Sequence, residues 1–343
     1  MRSFGSDNHS GVHRSILEAV TQANNGHAIA YGDDFWTEKA IAEFKNIFGK
    51  QAEPFFVFNG TGANVTALQS CLRPFEAAIV PATAHVFADE CGSPEFMTRS
   101  ALKPIPTANG KLTPEHIEPL LLGMGDQHHS QPKVVYISQC SELGTVYTVE
   151  EIKALADFLH RHNLYLHIDG ARIANAAAFL NVGFKELTAD CGADILSFGG
   201  TKNGMLMGEA VVSFREELSK NLKFIRKQSA QLYSKMRFVS SQFSAYFRDD
   251  LWKQNARHAN NMAQKLRKGI SSIADFEFTQ PTQANILLLK MPPAVIEQML
   301  KKHFFYIWNE QENEIRLVTS WDTAEDDISI FLNDLEKACK TNR

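Results

Sequence analysis

The 343-residue sequence has no surplus of positive charge: 35 Lys and Arg stand against 39 Asp and Glu, a net charge of −4. A polyanion-binding face needs a basic stripe, so no nucleic-acid partner is expected. A disulfide framework is missing as well. The five cysteines (Cys71, Cys91, Cys140, Cys191, Cys339) are odd in number and lack CxxC spacing. They read as reduced thiols, not as bridges or a zinc site. No apolar run approaches the ~18 residues of a membrane span. The opening "MRSFGSDNHSG" is too polar for a secretory core. These absences together point to a cytoplasmic protein with no membrane contact. Internal repeats, low-complexity tracts and long charge runs are absent too.

What is present is ordinary globular material, 44% hydrophobic and 22% charged, with enough length for a large core and more than one domain. Short apolar runs alternate with helical patterns. "FFVF" (55–58), "KVVYIS" (133–138), "LYLHID" (164–169), "ADILSFGG" (193–200) and "GEAVVSF" (208–214) read as strands. Thr148 and Glu151 form a capping box ahead of a helix carrying Ile152, Leu155, Phe158 and Leu159. Strands apolar at nearly every position, separated by helices, predict an α/β fold with a mostly parallel sheet covered on both faces. The pattern changes beyond "SKMRF". We therefore expect a large α/β domain over 1–240 and a smaller α+β domain over 241–343.

In such sheets ligands gather outside the carboxyl ends of the strands, and the unusual polar residues fall there. "NGTGAN" follows a strand and opens a helix, so the N–H groups of Gly60, Thr61 and Gly62 could cradle a phosphate. The stretch lacks the third glycine of GxGxxG and the Gly-Lys-Ser of a P-loop, and it also fits a plain strand-to-helix turn. Asp169, in "HIDGARI", ends an apolar strand, where a carboxylate needs a partner. That partner is either Arg172, as a structural ion pair, or the protonated ring nitrogen of a ligand. Lys202 sits in "SFGGTKNG", among glycines after a buried run. A lysine held there can form a Schiff base with an aldehyde. A phosphate cradle, a buried Asp and a strand-end Lys are the three groups pyridoxal phosphate requires. His85 lies at another strand end, where it is either structural or stacks on a planar cofactor. The pairs His128–His129 and His160–His162 read as a loop and a helix C-terminus, and no metal is expected.

"NGTGAN", "HVFADECG", "HIDGARI", "SFGGTKNG" and "EIRLVTSWDT" together resemble the low-specificity L-threonine aldolases, pyridoxal-phosphate enzymes of fold type I. The resemblance runs from Ser6 to the final helix. It implies that Lys202 holds the cofactor and that Asp169 pairs with the ring nitrogen. Arg172 would lie by the ring hydroxyl and the substrate carboxylate, and His85 would stack on the ring. Gly60, Thr61 and Gly62 match the phosphate loop; Ser6 and Arg316 match the binders of the substrate carboxylate. Arg237 matches an arginine that reaches a neighbouring subunit's phosphate, and Tyr31 a tyrosine near the active site across an interface. A homo-oligomer, dimer or tetramer, is implied.

One stretch departs from that family. Where many members carry a histidine that contacts the substrate hydroxyl, this chain reads "SQCSELGTVY", with Ser141 and Glu142. The expected reaction is cleavage of an L-3-hydroxy amino acid, such as L-threonine or L-allo-threonine, to glycine and an aldehyde, with His85 or a water it orients as the base. The alternatives are β-elimination or amino transfer on the same scaffold, or a nucleotide-binding module that uses "NGTGAN".

Overall fold

The structure is a computed structural model that describes residues 3–342. Seven strands form the main sheet in the order β1-β7-β6-β5-β4-β2-β3. They are β1 Glu53–Val57, β2 Glu76–Pro81, β3 Ala101–Ile105, β4 Gln131–Ser138, β5 Tyr165–Gly170, β6 Ile195–Gly199 and β7 Glu209–Ser213. The pairs among β6, β5, β4, β2 and β3 are parallel, and only β7 runs against its neighbours β1 and β6. The mostly parallel sheet expected from the apolar runs is the one found.

Alternation along each strand explains why those runs had to be continuous. Val135 and Ile137 of β4, Leu196 and Phe198 of β6, and Ala210 and Val212 of β7 join one buried cluster. Their neighbours Val134, Tyr136, Ile195 and Val211 join another. A strand covered on both faces cannot spare a polar position. The first cluster is rich in phenylalanine: Phe44 and Phe48 of the helix Phe35–Phe48 meet Phe56, Phe198, Phe243 and Phe247 edge-on or stacked. The second holds the helix Gly60–Cys71 through Ala63, Ala67 and Leu68. The Thr148–Glu151 capping box opens the helix Val149–Arg161 as its spacing predicts. The "TPEHIEPLLL" stretch is shorter than a full helix, one turn at Pro114–Ile117 and a 3-10 turn after it, with Pro119 breaking the ladder.

A second, antiparallel sheet runs β8-β10-β9, with β8 Ile286–Lys290, β9 Tyr306–Asn309 and β10 Glu314–Val318. Leu287, Leu289, Ile315 and Leu317 pack with Met262, Leu266, Phe331 and Leu335. The helix Leu251–Ile273 serves both cores, giving Trp252 and Ala256 to one and Met262, Leu266 and Ile270 to the other. The N-terminal arm crosses to this sheet: Phe4 is fully buried there, its N–H on Phe304 O at 2.8 Å and its carbonyl accepting from Val318 N–H at 2.8 Å.

Chain order then fixes where a ligand can lie. From β2 the chain moves outward to β3, whereas β4, β5 and β6 follow one another in the other direction. The crevice between the carboxyl ends of β2 and β4 is therefore the switch point of the sheet.

Candidate active site

Each strand end at this switch point carries a functional side chain. His85 follows β2, Glu142 follows β4, Asp169 lies near the end of β5, and Lys202 sits in the 3-10 turn Thr201–Asn203 after β6. A narrow crevice of about 50 Å³ is lined by Gly60, His85, Glu142, Asp169, Arg172 and Lys202 among others. It lies beside a wider cavity of about 650 Å³, which adds Ser6, Tyr306, Trp308 and Arg316. Residues far apart in sequence thus meet at one place.

The glycines around Lys202 have a packing reason. A Cβ on Gly199 would lie 3.0 Å from Ala171 Cα and 2.6 Å from the Glu209 carboxylate, so β6 can pass the β5 turn only without a side chain. Gly204 ends the turn at φ +101°, a conformation side chains rarely adopt. Lys202 is thereby held where its charge acts on Asp7, Asp169 and Glu209. Glu209 is buried behind the turn, and burial pushes its carboxyl up to about 7 despite the Thr201 hydrogen bond and the Lys202 charge.

Asp169 is buried and well supplied with donors. Oδ2 accepts from Tyr136 Oη at 2.5 Å and Asn64 Nδ2 at 2.9 Å; Oδ1 accepts from Ala171 N–H at 2.8 Å. Burial works to raise its pKa, but the Tyr136 bond, the Lys202 charge and the other donors hold it below the usual carboxylate range. Asn64 spans to Glu90 Oε1 at 2.9 Å, and that oxygen also meets His85 Nδ1 at 2.9 Å. The Glu90 bond raises the His85 pKa, against its partial burial.

Arg172 does not pair with Asp169. Its Nε and Nη2 bind both oxygens of Asp7, at 2.7 and 2.8 Å, and Asn285 Nδ2 donates to Asp7 at 3.0 Å. The ion pair available from sequence spacing is replaced by one reaching across 165 positions, because the N-terminal arm delivers Asp7, fully buried, onto the Arg172 guanidinium. Burial tends to raise the Asp7 pKa, yet the charges of Arg172 and Lys202 and the bonds from Arg172 and Asn285 keep it low.

The helix Gly60–Cys71 opens on Asn59, whose side chain accepts from Gly62 N–H at 2.7 Å while its carbonyl accepts from Ala63 N–H. That leaves the N–H groups of Gly60 and Thr61 free for an anion. Arg316 lies mid-strand in β10, not at its end as "EIRLVTS" suggests, with its guanidinium 4.8 Å from the Trp308 ring and 5.6 Å from Tyr306. Its Nε is buried without a partner. Burial, then the nearby Arg172 charge, lowers its pKa. Ser6 Oγ accepts from Asn8 N–H at 3.2 Å at the cavity edge.

Of the expected residues, Thr61, Gly62, Tyr31 and Arg237 do not line these cavities. Tyr31, half exposed, lies by Lys227, and Arg237 Nη1 donates to Gly26 O at 3.1 Å. Ser141 turns away, its Oγ 2.6 Å from Thr145 Oγ1. Sequence reading gave no role to Tyr136, Asn64, Glu90 or Asp7. All four stood within stretches already quoted, Asn64 in "NGTGAN", Glu90 in "HVFADECG", Tyr136 in "KVVYIS" and Asp7 in "MRSFGSDNHSG", but nothing in those stretches marked them as partners of Asp169, His85 and Arg172. Among the described residues no group of three metal-ligating side chains occurs and no disulfide joins the cysteines.

The beta-eliminating lyase family model matches residues 3–292. A low-specificity L-threonine aldolase of Pseudomonas sp. (strain NCIMB 10558) is 41% identical over 325 residues, 94% of each chain. That of Pseudomonas aeruginosa is 38% identical over 335 residues, 97% of each. The solved threonine aldolase of Leishmania major superposes with a TM-score of 0.93 at 28% identity, covering 98% of this chain and 99% of that one.

Proposed function

This chain belongs to the beta-eliminating lyase family, among the low-specificity L-threonine aldolases, and on that premise we propose that it cleaves L-3-hydroxy amino acids such as L-threonine and L-allo-threonine to glycine and an aldehyde. The observation that carries this reading is Lys202 and Asp169 facing one crevice, with an acceptor position to spare on the carboxylate. Asp169 uses three of about four lone-pair sites on protein donors. The remaining site suits one ring N–H.

These residues fit pyridoxal 5'-phosphate. Lys202 would hold its aldehyde carbon, Asp169 its ring nitrogen, His85 its ring face, and the N–H groups of Gly60 and Thr61 its phosphate, the expected Gly62 N–H being spent on the Asn59 cap, with Arg172 near the ring hydroxyl. When bound, the cofactor supplies an electron sink for the pair released as Cα–Cβ breaks. The remaining work belongs to the chain. Asp169 stays anionic and keeps a proton on the facing nitrogen. Arg316 and Ser6 take the substrate carboxylate and so set which bond at Cα is exposed to cleavage. Arg172, fixed by Asp7, adds positive charge to the cavity without turning toward Asp169.

Tyr31 and Arg237 lie on the surface away from the crevice and the wider cavity, Arg237 lining a separate surface cavity of about 380 Å³, which supports a homo-oligomer in which they complete a neighbour's site. Light scattering that finds a monomer removes that part. Thiols not joined by a disulfide at Cys71, Cys91, Cys140 and Cys191 fit a cytoplasmic location, and no described helix is long and apolar enough to cross a membrane. The deciding assay incubates the chain and pyridoxal phosphate with a panel of 3-hydroxy amino acids. Equal amounts of glycine and aldehyde are expected. Ammonia and a 2-oxo acid as the main products would assign β-elimination instead.

A further inference from the structure

Two buried carboxylates at the site keep one oxygen without a partner: Glu90 Oε2 and Glu142 Oε2. Glu90 lines only the narrow crevice and is already matched to the His85 ring. Glu142 lines both the crevice and the wider cavity. It is 9% exposed, and no ion pair holds it among the described residues. Its Oε1 is saturated, accepting from His85 N–H at 2.9 Å and Ser138 Oγ at 2.6 Å. Those two bonds tie the ends of β2 and β4 together and fix the carboxylate across the switch point. Oε2 is therefore a preset acceptor with nothing to accept from.

The substrate's other anchors leave this wall for its side chain. With the amine toward Lys202 and the carboxylate on Arg316, the β-carbon must face the polar groups between them. Arg172 has no lone pair to offer, and Asp89 is exposed to water. His85 has Nδ1 engaged by Glu90 Oε1 and, on the reading above, its ring lies against the cofactor face, which leaves Glu142 Oε2 as the unengaged acceptor toward the side chain. Resting on the aldol-cleavage reading above, we propose that Glu142 Oε2 takes the proton of the substrate β-hydroxyl and is the residue that selects for that hydroxyl.

The step balances. The O–H bond breaks and its proton goes to Oε2, while the oxygen's electron pair becomes the carbonyl of the departing aldehyde. The Cα–Cβ pair would be taken up by the electron sink that bound pyridoxal phosphate supplies, and a proton added at Cα would then give glycine. Nothing is oxidised or reduced. Burial raises the Glu142 pKa against the Ser138 and His85 bonds, which suits a carboxylate that must accept a proton near neutrality. The ionisable groups around it are Asp169, Arg172, Cys140, His85, Glu90, Tyr136, Tyr147 and Lys202.

Glu142→Gln keeps an oxygen for Ser138 and the His85 N–H but cannot take a proton. Its kcat should fall about 100-fold or more, with KM within a few-fold. Glu142→Asp should retain more kcat than Glu142→Gln. A purely packing role predicts the reverse order, because Gln preserves size and Asp does not, and that order overturns the inference. A second readout needs no turnover. 3-Hydroxybutyrate carries the carboxylate and the β-hydroxyl but no amine, so it binds without reacting. NMR titration should show several-fold tighter binding of it than of butyrate, a preference lost in Glu142→Ala. A preference that survives overturns the inference. If the unaltered chain forms neither glycine nor aldehyde, the aldol reading itself fails. If it does form them and Glu142→Gln does so equally fast, only this inference fails.

Discussion

The two walls of the cavity are built on opposite terms. On the sheet wall the central carboxylate is satisfied: both oxygens of Asp169 are bonded, and the network runs on through Asn64 to Glu90 and His85, with unpaired acceptors only at its outer members, Asn64 Oδ1 and Glu90 Oε2. On the small-sheet wall Arg316 keeps a buried Nε with no partner and rests on Trp308 and Tyr306, and in the same cavity Glu142, just after β4, keeps a bare Oε2. A satisfied network holds one geometry, whereas an unsatisfied buried group carries a desolvation cost that only a ligand relieves. The difference teaches which wall serves a resident group and which serves a transient one.

The largest effect should come from removing the covalent anchor of the first wall. Lys202→Ala is expected to lose the visible absorbance of the bound cofactor, its trapping by borohydride and nearly all cleavage. A yellow, borohydride-reducible, active Lys202→Ala protein would break the assignment of the sheet wall.

Setting one side chain from each wall against the other sharpens the contrast. Arg316→Ala should raise KM for 3-hydroxy amino acids by roughly 100-fold and leave the cofactor absorbance intact. It should change folding stability by no more than about 1 kcal/mol, because it removes a desolvated cation held by ring contacts alone. Asp169→Ala should behave the opposite way. It strands the Tyr136 hydroxyl and the Asn64 amide in the interior and should cost roughly 2–3 kcal/mol in urea unfolding. Equal losses of stability would mean that the walls do not differ as drawn.

How much of this could be read in the sequence follows the same division. The sheet announced itself because strands buried on two faces are apolar throughout, and Asp169 and Lys202 stood out as polar residues at the ends of such runs. β7 could not be told from a parallel strand, since "GEAVVSF" is as buried as its neighbours and direction leaves no mark on composition. The partner of Arg172 was hidden because Asp7 arrives from the other end of the chain, carried by an arm that docks Phe4 in the small core. Arg316 looked like a strand end, because the polar Thr319 and Ser320 follow so soon. Glu142 was visible only as a departure from the family pattern. Its free oxygen is a property of the fold, set by where the His85 N–H and Ser138 happen to point.

The smallest expected effect tests whether the sheet wall's network is electrically continuous. His85 Nδ1 lies 2.9 Å from Glu90 Oε1, with the Glu90 side chain fully buried and that of His85 41% exposed. A carboxylate beside an imidazole favours the charged ring, so the His85 pKa lies above the ordinary histidine value, chiefly through this bond. The pair therefore contributes stability that is fully present below the unfolded histidine pKa and is lost as pH rises through the folded one. Exposure of the ring to water keeps that contribution small. In Glu90→Gln the partner loses its charge but keeps an oxygen for Asn64, so Asp169 stays supported while the ring titrates at lower pH. An NMR titration of the His85 ring protons should show this downward move, and the stability difference between the two proteins should shrink as pH rises through the folded value. An unmoved midpoint would mean that Glu90 only positions the ring and that its charge does not reach the site.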